Sequence, residues 1–144
     1  MEQLTVFLDT DVIISSLLSR SGASYELITH TKVKKIISTA VKKEVIQVSK
    51  RHGIEPKKAT ALLKNIKIFS INLSKEHILK SYSKFVFDNE DSHVVVGAQK
   101  SGSNILLTHN TKHYNITKIK NDLDIVIMKP GNFLQYLRGR EKAN

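Results

Sequence analysis

Four short runs in this chain are apolar from end to end. They are Val6-Phe7-Leu8, Ile36-Ile37, the ILLT of 105–108 and the IVIM of 125–128. A strand with one wet face alternates apolar and polar residues; a strand covered on both faces does not. A further run, Ile66, Ile68 and Ile71, reads as a third strand in chain order. Between the runs lie stretches with helical spacing: Ile13, Ile14, Leu17 and Leu18; Val41, Val45 and Val48; Ala59, Leu62 and Leu63. Apolar strands alternating with helices predict an α/β fold. It is a three-layer α/β/α arrangement around a parallel sheet of about five strands. In such open sheets, ligands collect beyond the carboxyl ends of the strands. Those ends are where chemistry is sought.

Local signals bound the elements. Ser21-Gly22 ends the first helix, Ser38 or Thr39 caps the one near Val41, and Ser74 caps another running to Tyr82. Pro56 suits a first helical turn. Pro130-Gly131 precedes a closing helix through Phe133, Leu134 and Leu137. With 144 residues and no linker or repeat, one domain over 1–138 is expected, followed by a frayed tail, 139–144.

Charge narrows the partner. Lys and Arg number 23 against 13 acids, a formal net charge of +10, which draws the chain to polyanions, nucleic acid first. The chain has no cysteine, so disulfides and thiolate metal sites are excluded. No apolar stretch reaches the roughly 20 residues of a membrane span, and MEQLTVFLDTD lacks the basic start of a secretory signal. A cytoplasmic location is the expectation, with no membrane partner.

The scarce acids fall at telling places. The first strand runs straight into Asp9, with Thr10 and Asp11 behind it, and the ILLT strand ends at Thr108, His109 and Asn110. Asp88, Glu90 and Asp91 open a helix that stops at Gly102, and Glu44 lies close to the buried stripe of the helix marked by Val41 and Val45. Each has a plainer reading. Asp91 is a helix cap favoured by the dipole, and Glu44 is a surface glutamate paired with Lys43 or Lys50. Together, Asp9, Glu44 and Asp91 come from separate elements whose ends could meet at one rim. Carboxylates gathered in one pocket repel unless a divalent cation neutralises them. Oxygen ligation points to Mg²⁺ or Mn²⁺, and such a site activates water against a phosphodiester.

The ordered pieces VFLDTDVIISSLLS, ISTAVKKEVIQV and DNEDSHVVVGAQKSGSNILLTHNTKHY, with a final strand and PG turn, resemble the PIN domain family. Among its members they are similar to the VapC-type toxin nucleases of prokaryotic toxin–antitoxin systems. The resemblance spans nearly the whole chain. It implies a Rossmann-like sheet and a quartet of acidic or polar residues holding Mg²⁺ or Mn²⁺. Those four positions fall on Asp9, Glu44, Asp91 and Asn110, with Asp9, Asp91 and Glu44 as the metal ligands. Thr10, Asp11, Asp88 and Thr108 are supporting residues at the same rim. It further implies an endoribonuclease leaving 5′-phosphate and 3′-hydroxyl ends, an antitoxin partner and a homodimer. Two departures stand out: Asn110 occupies a position where the family commonly carries Asp, and Asp11 one where it often carries Asn.

Other readings weigh less. DTDV fits the nucleophile motif of haloacid-dehalogenase-like phosphatases, but the further acids that site needs, Asp122 and Asp124, precede the last strand and fall at the opposite rim. A receiver domain needs an Asp ending the third strand, where IKIFSINLS has none. A non-catalytic RNA-binding or protein-interaction module of the same fold is the main alternative. His109 and His113 share i,i+4 spacing, but HNTKH follows a strand and lacks the glutamate of a zinc motif, so they read as loop or core histidines. His93 is a candidate support beside Asp91.

Overall fold

The computed structural model describes residues 3–143. Five strands form one all-parallel sheet: β1 (Leu4–Leu8), β2 (Val33–Ser38), β3 (Lys67–Phe69), β4 (Ile105–Leu107) and β5 (Val126–Met128), in the order β3-β2-β1-β4-β5. Val6 and Phe7 of β1 sit opposite Lys35 and Ile36 of β2 on one side and Ile105 and Leu106 of β4 on the other. Phe7, Leu8, Ile37, Leu106 and Leu107 are fully buried. This is the physical reason the runs show no polar alternation.

The helices are α1 (Thr10–Leu18), α2 (Ala23–Thr29), α3 (Thr39–Arg51), α4 (Pro56–Leu63), α5 (Lys75–Tyr82), α6 (Ser92–Lys100), α7 (Ile116–Leu123) and α8 (Pro130–Ala143). Contacts of α1 with α2, α3 and α4, and of α2 with α8, build one layer. On the opposite face α5 packs on α6, and α7 packs beside the 3-10 turn Ser83–Phe85 that links them. The chain winds from β1 outward to β3, then crosses to β4 and β5. The direction reverses between β1 and β4, and that reversal opens a crevice at their carboxyl ends.

The local signals explain most boundaries. The Ser38 and Ser74 hydroxyls accept from Val41 N at 3.1 Å and His77 N at 3.1 Å, capping α3 and α5. Past the ends of α3 and α6, Gly53 (φ 67°) and Gly102 (φ 76°) take the left-handed conformation that stops a helix cheaply. The third strand is shorter than read: Ile66 and Ile71 flank β3 rather than join it. The stretch expected to fray is helical instead, because α8 continues through Ala143; Asn144 lies outside the described residues. Glu141, Lys142 and Ala143 are good helix formers, and Arg138 holds Glu26 of α2 at 3.1 Å.

One packing contact governs the site. A Cβ at Gly97 would run into the Phe7 ring. The missing side chain lets α6 lie directly on β1, bringing its N-terminal end over the carboxyl end of that strand. Among the described residues, no helix is long and apolar enough to cross a membrane.

Candidate metal and catalytic site

The chain leaves β1 at Asp9, whose backbone N–H donates to Leu107 O at 3.0 Å, locking the β1 and β4 ends together. Asp9 is the N-cap of α1, its Oδ1 accepting from Thr10 N at 2.8 Å. Its Oδ2 accepts from the Thr108 hydroxyl at 2.9 Å and the Tyr114 hydroxyl at 2.7 Å. The Thr10 N–H and the Thr108 and Tyr114 hydroxyls together hold this carboxylate in one orientation. Burial, followed by the charge of Asp9, raises the Tyr114 phenol well above its ordinary range, so it stays a donor.

Asp11 is held as firmly, but toward β4. It accepts from the Thr108 hydroxyl and His109 N, each at 3.2 Å, and from Asn110 Nδ2 at 2.9 Å. Burial raises its pKa, the Asp9 charge adds to the rise, and the His109 N–H works against it. The two departures from the family pattern are therefore one feature: Asp11 and Asn110 are bonded partners.

Asp91 arrives from the other face. A 3-10 turn, Asn89–Asp91, precedes α6, and Asp88 caps it by accepting from Glu90 N at 3.0 Å. Asp91 is the N-cap of α6 but makes no side-chain cap bond. Its carboxylate instead meets His113 Nδ1 at 3.3 Å. Burial, followed by repulsion from Asp9, pushes its pKa up to about 6, with His113 opposing. Asp91 thus holds the N-cap position while its carboxylate bonds elsewhere. Asp9, Thr10, Asp11, Asp91, Asn110 and His113 all line one cleft of about 550 Å³.

Glu44 is placed differently. It is not among the residues lining that cleft. Its Oε1 lies 2.8 Å from His93 Nε2, a bridge from α3 to α6. Burial works against charge on His93, but the Glu44 hydrogen bond and charge, with Asp9 and Asp91 behind them, outweigh it and raise the His93 pKa. His109 turns away to Ser24 Oγ at 2.8 Å, so the two loop histidines serve separate partners. Asp122 and Asp124 are tied to Lys118 and Lys120 along α7.

Two members of the site were missed at the sequence level. Tyr114 and the His113–Asp91 contact both come from the TKHY segment, which carries no helical or strand periodicity to betray a direction. The antiparallel bridge between Val86 and Tyr114 fixes that segment against the loop leading to Asp91.

The donor chemistry fits a hard dication. Two facing carboxylates repel and one is held partly protonated, which an ion between them would relieve. Mg²⁺ is commonly held by one or two carboxylates, keeping several waters. Thr10 Oγ1, in the cleft wall, is buried with no hydrogen-bond partner, a donor group left over for such a water. Among the described residues no three His, Asp or Glu side chains gather closely enough to cage an ion by themselves. The fit is to a water-rich ion resting on Asp9 and Asp91.

The PIN domain model matches residues 5–112. None of the curated proteins matches the chain. Among solved structures, a toxin–antitoxin complex from Klebsiella pneumoniae superposes with a TM-score of 0.64 at 18% identity, covering 87% of this chain and 97% of that one. VapBC-1 from nontypeable Haemophilus influenzae gives 0.60 at 14% identity over 89% and 99%. VapBC2 from Rickettsia felis, bound to a DNA fragment from the promoter, gives 0.59 at 14% over 88% and 98%. At such identities the likeness speaks for the fold. The matched segment, however, runs from β1 through the Asp11–Asn110 turn and takes in three quarters of the sequence; the chain belongs to the PIN domain family.

Proposed function

We propose that this protein is a metal-dependent endoribonuclease and the toxin half of a toxin–antitoxin pair. The observation that carries the reading is the convergence of Asp9, Asp91 and Asn110 on one cleft at the switch point of the sheet, in a chain with a net charge of +10. Asp9 and Asp91 would hold Mg²⁺ or Mn²⁺. The chemistry such an ion supplies when bound is polarisation of a phosphoryl oxygen and a lowered pKa for water.

The chain's own residues do the rest. Thr108 and Tyr114 fix the orientation of the Asp9 carboxylate in the cleft wall. Asp11 anchors the turn after β4 and, through Asn110 Nδ2, sets the amide so that its carbonyl oxygen is the atom left for the cleft. Glu44, 2.8 Å from His93, lies outside the cleft lining, and the pair would take or return a proton only through intervening water. Hydrolysis leaves a 5′-phosphate and a 3′-hydroxyl. Ile14, Leu18 and Val48 give the cleft an apolar side, suited to a protein antitoxin that covers it. Leu18 is 57% exposed there. Several of the neighbouring structures are themselves toxin–antitoxin complexes. A homodimer is part of the proposal, checked by light scattering on the purified chain.

The test is cleavage of end-labelled RNA with Mn²⁺ or Mg²⁺, with and without chelator, by wild type and Asp91→Asn. Cleavage that is lost with chelator and lost in the variant supports the reading. A second reading, an RNA-binding module with little catalysis, is favoured by the diversion of Glu44 to His93. RNA binding without Asp91-dependent cleavage would select it.

A further inference from the structure

A second depression lies beside the acidic cleft, over the carboxyl ends of β2 and β3. It measures about 340 Å³. Its apolar wall is Ile71, Leu73, Ile78 and Leu79. Opposite stand Thr39, Lys75 and Ser92, the first residues of α3, α5 and α6, so three helix N-termini border one small space. The Ser92 hydroxyl belongs to a residue only 1% exposed and has no hydrogen-bond partner. His93 Nδ1 is likewise buried and unpartnered, in a ring that lines the same space and whose other nitrogen holds Glu44. Buried hydroxyls and ring nitrogens left without partners are costly unless something else completes them.

We propose that this pocket is a nucleotide subsite, which seats the RNA nucleotide adjoining the scissile phosphate. The inference rests on the ribonuclease reading above. The pocket has the two halves a nucleotide needs. Aliphatic side chains cover the face of a base, while Lys75 and the positive helix ends suit its phosphate. Glu90, in the same wall, accepts hydrogen bonds only, which favours a base edge carrying an amino or ring N–H. Glu90 and Ser92 of this pocket flank Asp91 of the acidic cleft, so the two spaces adjoin along the start of α6. A nucleotide seated here therefore places its neighbouring phosphate at the acidic cleft. The subsite would give the enzyme a base preference at one position beside the cut.

The test uses the full chain. A sequence-randomised, single-stranded RNA pool is digested with Mn²⁺ and the ends sequenced, and KM is measured on one cleaved oligonucleotide. Ala40 lines the pocket and is only partly buried, so Ala40→Phe fills the space; Ser92→Ala removes the hydroxyl. Wild type shows a preference at one position, and each variant flattens it and raises KM about ten-fold, the scale of one base contact. Separately, AMP, GMP, CMP and UMP are titrated without metal while the methyl NMR signals of Ile71, Leu73, Ile78 and Leu79 are followed. At least one nucleotide shifts them in wild type, and the shift disappears in Ala40→Phe. Variants that melt like wild type yet keep its preference and KM overturn the subsite. So do methyl groups that ignore all four nucleotides. If Ala40→Phe does not fold, Ser92→Ala and the wild-type titration decide. If wild type cleaves no RNA with any divalent ion, the ribonuclease reading falls, and the titration alone judges the pocket.

Discussion

The two halves of the carboxyl rim are built on different principles. At β1 and β4 the carboxylates themselves are committed: Asp9 accepts from Thr10 N and Tyr114, Asp11 from His109 N and Asn110, the one Thr108 hydroxyl lies between the two, and the strand ends are bonded to each other. At β2 and β3 the polar atoms are loosely committed. Glu44 has one histidine, and the Ser92 hydroxyl and His93 Nδ1 have nothing. A rigid half suits groups that must hold a charge in place before the substrate arrives. An unsatisfied half suits groups that wait for a ligand to complete them. On the proposed reading, the first half would serve the reaction and the second recognition.

The sharpest way to break this contrast is at Asp91. Asp91→Asn is expected to cut metal-dependent cleavage by roughly 100-fold or more, read as the initial rate on labelled RNA; a loss under ten-fold would remove Asp91 from the reaction. Next comes the support of Asp9. Tyr114→Phe and Thr108→Val each strip one donor from a charged carboxylate, and a drop of about 10- to 100-fold in Mn²⁺ affinity or rate is expected, with a stability loss of about 1–2 kcal/mol by urea unfolding. Glu44→Gln is a smaller change, because the amide oxygen still accepts from His93. A rate loss within about ten-fold fits its place outside the cleft lining, whereas a loss matching Asp91→Asn would put Glu44 among the ligands. The double exchange Asp11→Asn with Asn110→Asp keeps the bonded pair and should melt within about 1 kcal/mol of wild type, while either single change costs more.

The smallest effect is on stability against pH. The folded pKa of Asp91 is raised to about 6 from 3.8. The folded chain therefore binds this proton more tightly than the unfolded one. The stabilisation is fully present below about pH 4 and is lost as pH rises through about 6. Without metal, the melting midpoint should fall by a few degrees over that window. Asp91→Asn should flatten the slope, and added Mn²⁺ should reverse it. A wild-type curve as flat as the variant's would mean that neither burial nor the Asp9 charge raises the Asp91 pKa.

The legibility of these halves in the sequence differs for a physical reason. Asp9 and Asp91 sit at a strand end and a helix start, where periodicity stops abruptly, and so both could be located from pattern alone. The same holds for the sheet, since a doubly covered strand writes its burial into every residue. Glu44 was legible as a residue but not as a contact: its partner His93 is 49 residues away, on the other layer. Tyr114 reaches back 105 residues to Asp9 from a segment without period. The helical end of α8 was hidden by its polar character, which says nothing against helix when the residues are Glu, Lys and Ala. Long-range hydrogen bonds between irregular segments leave no local trace.

Gly97 carries a consequence beyond packing. Its missing methyl sets how near α6 can come to Phe7, and Asp91 stands at the start of α6 while β1, past Phe7, runs into Asp9. A residue buried mid-helix thus works as a gauge block between the two elements that carry Asp9 and Asp91. Any side chain there would have to shift the helix or the ring, and the acid at the helix start would move with it.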